Sequence, residues 1–340
     1  MNRLILFGLL FSVLVPLPVC AQQDLNLQWR GFAQLTAERI NGVDNTLGFD
    51  AERLRARFQL DSGQLTAVTQ LDLAVDNLGD SQPGTLANVI LDLYASYQFK
   101  GKHSVRIGQF KTPLGMDFNL PAHSLDITKR GMDAGLMLNR AIGIMLTGQQ
   151  IVAGLSYDIG FFNPPSRSGA TQYLDSQVGQ DVGQVARIRY DRSQWHAEVA
   201  HGIAENAAGP GSMEYAVTNL ALRFSRAPWT IRAEWTQGRD ALSVADRKET
   251  VYYLHGAYKL TPTMELVARH YEGHSRIGPA PTDLDNTFIG LTKHFAGQSR
   301  LRTRLQVNYV FARGDRDTYT GLRGFREDAL LVQLLLDAGS

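Results

Sequence analysis

The chain has 340 residues, with 34 Lys or Arg against 33 Asp or Glu and a formal net charge of +1. This balance gives no reason to expect a nucleic-acid partner or an acidic partner. The single cysteine, Cys20, lies close to the N-terminus. Disulfide scaffolds, cysteine metal sites and thiol catalysis are therefore excluded for the rest of the chain.

The first 21 residues are typical of an export signal. Arg3 supplies the positive start, Leu4 to Val15 form an apolar run, and Val19-Cys20-Ala21 is a small-residue cleavage site. The apolar run is too short for a membrane anchor, and two prolines follow it. We therefore expect Sec-type export, cleavage after Ala21, and a single mature domain of residues 22–340.

Beyond the signal, polar and apolar side chains alternate along segments of about ten residues, as in outer-membrane barrels. In the segment 49–60, Leu54, Phe58 and Leu60 share one face, and arginines occupy the other. An apolar face toward lipid and a basic face toward water fit this pattern. Sixteen such strands are predicted, at about 27–38, 49–60, 65–75, 89–99, 103–110, 140–148, 152–161, 183–190, 195–203, 215–224, 229–237, 251–260, 264–271, 287–295, 301–311 and 329–336.

The predicted connections alternate between short and long. Short turns follow the even strands, and longer segments, at about 40–48, 76–88, 111–139, 162–182, 204–214, 238–250, 272–286 and 312–328, follow the odd ones. This order predicts an all-β fold, a 16-stranded antiparallel transmembrane β-barrel with short periplasmic turns and longer external loops. Six aromatic residues are expected to form a girdle at the periplasmic rim. They are Trp29, Phe99, Trp195, Phe224, Trp229 and Phe295.

Basic side chains dominate the predicted inner faces. The candidate pore-lining, anion-binding residues are Arg30, Arg53, Arg55, Arg57, Arg106, Arg187, Arg189, Arg302 and Arg304, and Arg223, Arg232, Lys259 and Arg269 share the inner face. Fewer than half as many acidic residues face inward, namely Glu38, Asp72, Asp92, Glu198, Glu234 and Glu265. This excess predicts a lumen that concentrates anions. The alternative is that the arginines pair with acidic loop residues and only shape the wall.

The longest connection, 111–139, is the best candidate for a constriction loop folded into the barrel. Its charged residues are Lys111, Asp117, Asp126, Lys129, Arg130 and Asp133. Phe118, Leu120 and Leu125 supply apolar anchors. The alternative is that this third loop only covers the outer mouth.

The stretch Arg106-Ile107-Gly108-Gln109-Phe110-Lys111-Thr112-Pro113-Leu114-Gly115 resembles the motif with which the phosphate-selective porin O and P family leaves its fifth strand. The arginine-rich second strand, Tyr157 to Asn163 and Leu305 to Tyr309 are further similarities. The resemblance implies a homotrimeric channel in the outer membrane of a Gram-negative bacterium, often anion-selective, with the third loop inside.

The predicted function is passive diffusion of small anions, with phosphate or polyphosphate leading and carboxylates second. A general, weakly selective porin and a non-conducting structural or adhesive barrel remain as alternatives. No enzyme, cofactor or metal is expected. Glu198 and Glu234 could be paired as a glycosidase acid and nucleophile, but any barrel lumen supplies such pairs. The histidines show no spacing typical of metal ligands.

Overall fold

The computed structural model describes residues 25–42, 47–74, 89–99, 101–163, 182–204, 214–240, 247–277, 280–295, 301–315, 322 and 324–339. The predicted export signal lies outside these residues. So do most residues of the predicted connections 76–88, 162–182 and 204–214. Over the described ranges, no helix is long and apolar enough to cross a membrane.

Sixteen antiparallel strands form one closed barrel, in which each strand pairs with its neighbours in sequence and the first pairs with the last. The predicted fold class is confirmed. The strands are β1 (Asn26–Ile40), β2 (Leu47–Ser62), β3 (Leu65–Asp72), β4 (Ile90–Gln98), β5 (His103–Lys111), β6 (Arg140–Val152), β7 (Leu155–Phe162), β8 (Gly183–Arg192), β9 (Trp195–Ala204), β10 (Tyr215–Arg226), β11 (Trp229–Arg239), β12 (Lys248–Thr261), β13 (Met264–Ile277), β14 (Ala280–Phe295), β15 (Leu301–Gly314) and β16 (Ala329–Gly339).

The alternating pattern sets which face of each strand is exposed. On β2, Leu54 and Phe58 lie exposed on the outer surface, while Arg55 turns inward and pairs with Asp72 of β3. The opposite faces follow from the pleat, because neighbouring side chains on a strand point to opposite sides. On β4 the alternation is interrupted: Leu91 is only 5% exposed, beside an irregular pairing of β3 with β4.

One predicted long connection is replaced by a strand hairpin. The segment 272–286 was expected to be an external loop, but β13 continues to Ile277 and β14 begins at Ala280. Register pairs such as His274 with Asp283 continue the ladder through this region. This segment is rich in turn-forming and charged residues, but its backbone groups pair across β13 and β14. The two strands therefore extend the barrel wall.

The aromatic residues predicted for the girdle lie at the end of the barrel that carries the short turns. Trp195 packs against Phe224 with ring centroids 4.8 Å apart, and Trp229 packs against Tyr258 at 4.5 Å. The tryptophans are about half exposed on the outer surface. Large amphipathic rings in this position are typical of a membrane interface.

Gly108 of β5 allows β4 to approach closely. Its φ is +129°, and an added Cβ would lie 2.3 Å from the Leu93 carbonyl oxygen and 2.7 Å from the Tyr94 Cα. Both contacts are with backbone, which cannot move aside without disturbing the ladder. A side chain at position 108 is therefore incompatible with the observed spacing of β4 and β5.

We predict that Gly108→Ala lowers the free energy of unfolding by about 3 kcal/mol or more, because backbone strain and a clash act together. Denaturant unfolding in lipid, followed by heat-modifiable gel mobility, measures the loss. Gly256→Ala is the matched control, because a Cβ at Gly256 meets nothing within 4 Å. Equal stability of the two variants would contradict the close approach.

Candidate functional site

The connection between β5 and β6, residues 112–139, lies inside the barrel. It contains the short helix α1 (Met116–Asn119) and two 3₁₀ turns, Ala122–Ser124 and Met132–Gly135. Inward-facing side chains of the wall bind its main chain at widely separated points. The amide of Thr128 donates to Asn308 Oδ1 over 2.8 Å, and the Tyr215 hydroxyl donates to the Leu136 carbonyl over 2.7 Å.

Apolar packing holds the third loop along a large part of the inner wall. Leu114, Phe118, Met137 and Leu138 pack in a cluster with inward residues of β5 to β10. Met132 and Leu136 join a second cluster with residues of β12 to β16, and Ile127 packs between Ala257 and Val267. The loop therefore packs along the wall from β5 round to β16, and an open space remains between the loop and the inward-facing arginines of β1, β2 and β5.

Two loop carboxylates point into the wall. Asp117 accepts a hydrogen bond from Arg269 over 3.0 Å, and Asp126 is bound by Arg232 and by His255 Nε2 at 2.9 Å. Burial by itself would raise the pKa of Asp117, but the guanidinium groups of Arg269 and Arg232 outweigh it and lower the pKa to about 2. Both acidic groups are thus ionised, and each is matched by a positive charge in the wall.

Glu234 of β11 fixes the start of α1. Its carboxylate accepts from the amides of Met116 at 3.1 Å and Asp117 at 3.0 Å, from Asn219 Nδ2 at 2.7 Å and from the Tyr253 hydroxyl at 2.9 Å. These donors use the available lone pairs of the carboxylate. Sequence reasoning counted Glu234 as an inward acid but did not predict that it holds the loop.

The basic groups of the third loop have different partners. Lys129 pairs with Glu38 of β1. Lys111, at the end of β5, donates to the Phe118 carbonyl, and Arg130 donates to the carbonyl oxygens of Asp117 and Leu120. Lys111 and Arg130 both border the open space, and neither makes an ion pair with a carboxylate among the described residues.

The open space is a cavity of about 700 Å³ between the third loop and the arginine-rich wall. Its carboxylates are Asp92 and Asp337, and its basic side chains are Arg30, Arg55, Arg57, Arg106, Lys111, Arg130, Arg140, Arg187 and Arg302. His123 also borders it. Burial and the charge of Arg30 lower the pKa of His123 to about 4, so this imidazole is neutral at pH 7.

Four of these basic residues are already paired. Arg30 binds Asp337, Arg55 binds Asp72, Arg140 binds Asp92 and Arg187 binds Asp158. The other five make no ion pair with any carboxylate that the structure describes. They are Arg57, Arg106, Lys111, Arg130 and Arg302.

Three arginines expected to line the pore lie away from the cavity. Arg53 pairs with Glu52, Arg189 lies 3.3 Å from Asp158, and the buried Arg304 donates to the Leu125 carbonyl. Of the six charged loop residues predicted for the constriction, Lys111 and Arg130 border the cavity. Asp117, Asp126 and Lys129 face the wall, and Asp133 is buried. Opposite charges explain these positions for Arg53, Arg189, Asp117, Asp126 and Lys129, and the Leu125 carbonyl oxygen explains that of Arg304.

Two charged residues of the site were missed at the sequence level. Arg140 borders the cavity at the first position of β6, and Asp158 of β7 pairs with Arg187 over 2.8 Å. Asp158 alternates with Tyr157 and Ile159, so the period of two identifies it as inward-facing. Among the residues described, no group of three or more His, Asp or Glu side chains is placed to hold a metal ion.

Comparison with solved structures places the fold among the outer-membrane porins. An anion-selective porin from Comamonas acidovorans aligns with 94% of this chain and 100% of its own at 13% identity and a TM-score of 0.66. OmpF of Salmonella typhi, solved with daunomycin, aligns with 93% of this chain and 98% of its own at 14% identity and a TM-score of 0.64. The trimer form of Vibrio cholerae OmpT aligns with 93% of this chain and 100% of its own at 11% identity and a TM-score of 0.63.

These similarities, at low identity, define a porin-type barrel. A family model described as phosphate-selective porin O and P matches residues 22–149. The resemblance seen in the fifth-strand motif is thereby confirmed over that stretch. No curated protein matches the chain in sequence. The family match and the fold support an outer-membrane porin channel of a Gram-negative bacterium.

We predict that Asp117→Asn lowers the free energy of unfolding by about 3 kcal/mol, because it removes the nearer carboxylate of the buried Arg269 and leaves it only Asp126, 3.7 Å away. Asp283→Asn is the control. Asp283 is more than half exposed, and its one ion pair among the described residues is with His274 at the surface, so less than about 1 kcal/mol is expected. Denaturant unfolding in lipid compares the two, and equal losses would contradict the anchoring.

The lowered pKa of Asp117 predicts how acid changes the stability that its ion pair contributes. An unfolded Asp has a pKa of about 3.9, and that of Asp117 is lowered to about 2. Its stabilising contribution is therefore fully present above about pH 4 and is lost as the pH falls through about 2. We expect unfolding measurements between pH 7 and 4 to show no loss assignable to Asp117; a loss abolished by Asp117→Asn in that range would contradict this.

Proposed function

We propose that the protein is a passive diffusion channel for small anions, with phosphate or polyphosphate as the leading class. One observation carries the proposal: among the residues that the structure describes, nine basic side chains but only two carboxylates border the cavity. Because two acids of the third loop are bound to Arg232 and Arg269 behind it, the loop adds positive charge to the open space. Such a field concentrates anions.

Arginine suits this function for a second reason. Its guanidinium group stays charged at all relevant pH values and binds phosphate or carboxylate through paired N–H donors. Arg57 of β2 and Arg106 of β5 border the cavity without an ion-pair partner in the described part of the chain. They are the arginines best placed to contact a passing anion directly.

A non-conducting structural or adhesive barrel is the second candidate. It is favoured by the extent of loop packing, since the clusters of the third loop reach from β5 round to β16. A general porin with weak selectivity is the intermediate case. The trimer form of the structurally similar Vibrio cholerae porin and the family resemblance support a homotrimer in the outer membrane. Sec-type export rests on the predicted export signal alone. The proposal requires neither a cofactor nor catalysis.

Planar bilayers test the function directly. Purified protein should give stepwise conductance, and a potassium chloride gradient should give a zero-current potential of the sign expected for chloride permeation. A cation preference would contradict the proposal. Absence of steps from folded protein would support the non-conducting barrel instead.

Phosphate block of the chloride current tests the binding residues. We predict that Arg57→Gln raises the half-blocking phosphate concentration about tenfold, since a charge-assisted hydrogen bond is worth about 1.5 kcal/mol. Arg55→Gln removes the same charge from the same strand, but Arg55 is already engaged by Asp72. We expect less than about threefold for it. Equal effects would exclude a specific contact at Arg57, leaving only general selectivity.

A further inference from the structure

The cavity has an apolar side that inorganic phosphate cannot use. Tyr94 on the wall and Leu120 and Pro121 on the third loop border it and are not fully buried. Phe32 and Phe110 lie behind them at the same cavity. An inorganic anion is hydrated on all sides, so apolar lining gives it no stabilisation. Mixed lining with a few convergent charges is typical of sites for organic ligands.

Arg106 is held against aromatic rings at this place. Its guanidinium carbon lies 4.4 Å from the centroid of Tyr94 and 5.2 Å from that of Phe110. The two rings pack edge to face with their centroids 5.8 Å apart, so each restricts the movement of the other. The buried Nε of Arg106 has no hydrogen-bond acceptor in the part of the chain described.

Stacking fixes the plane of the Arg106 guanidinium group while its N–H donors remain in that plane. A carboxylate can bind such an edge through two parallel hydrogen bonds. Arg57 lies on β2 and Arg106 on β5, with β4 between them in the strand order, and Arg57 Nη2 donates to the Tyr94 hydroxyl over 3.4 Å. Tyr94 therefore lies between two arginines that have no ion-pair partner among the described residues.

We propose that the cavity selects organic carboxylates with an apolar ring, with the carboxylate on the edge of Arg106 and the ring against Tyr94 and the loop residues Leu120 and Pro121. This rests on the proposed anion channel, and it places ring-bearing carboxylates ahead of phosphate as the class of anion that this cavity binds. Charge alone attracts any anion; the braced guanidinium and the adjoining apolar lining distinguish a ring-bearing carboxylate from acetate and from phosphate.

Block of the chloride current in bilayers by a matched series of sodium salts tests the inference on the unaltered protein. Benzoate and cyclohexanecarboxylate carry the same charge as acetate but add an apolar ring. We expect both to block at concentrations at least about tenfold below those of acetate and phosphate, since a buried ring adds binding free energy in proportion to its area. Equal half-blocking concentrations across the series would overturn the proposal.

Variants locate the site. Arg106→Lys retains a charge but not the planar fork, and we expect it to reduce the benzoate-to-acetate preference at least threefold. Arg192→Gln is the control, because Arg192 is exposed at the short turn after β8 and does not border the cavity. An unchanged preference in Arg106→Lys would overturn the assignment to Arg106. If the channel proves anion-selective without any ring preference, this inference fails and the proposed function stands; a cation-selective channel removes both.

Discussion

The ion pairs between the third loop and the far wall determine what the lumen can do. Asp117 and Asp126 are bound by Arg269 and Arg232, so their charges are neutralised inside a packed layer. Had these carboxylates faced the open space, they would have offset the arginines across it. Since a buried charge without a partner is strongly unfavourable, the pairs also fix the position of the loop. One interaction therefore sets both the shape and the sign of the cavity.

Two sets of arginines with different functions follow from this arrangement. The set on β11 and β13, with the buried Arg304 of β15, binds loop acids and carbonyls. The other set borders the cavity from β1, β2, β5, β6, β8 and β15, and part of it is balanced by wall carboxylates such as Asp72. The basic side chains without an ion pair among the described residues are concentrated beside Tyr94 and at the edge of the third loop. Near neutrality of the whole chain is thus compatible with a strongly positive cavity.

Alternation of side chains was sufficient to predict the closed barrel, its sixteen strands and the inward direction of Arg55 and Arg57, because a period of two fixes the face of every residue. It could not predict ion pairing, which depends on register: Arg55 meets Asp72 only because β2 and β3 pair with those residues opposite. Nor could it show that Asp117 turns away from water. The charged segment 272–286 was wrongly predicted as a loop because ladder pairing outweighed its turn-like composition.

Cysteine accessibility measures the position of the third loop most directly. Arg57→Cys would lie at the cavity, whereas Ala257→Cys would lie on the inner face of β12 beneath Ile127. A charged thiol reagent applied to folded protein in lipid should modify position 57 and leave position 257 protected until unfolding. Modification of both at the same rate would show that the loop does not cover this wall, and the account of a positive lumen would fail with it.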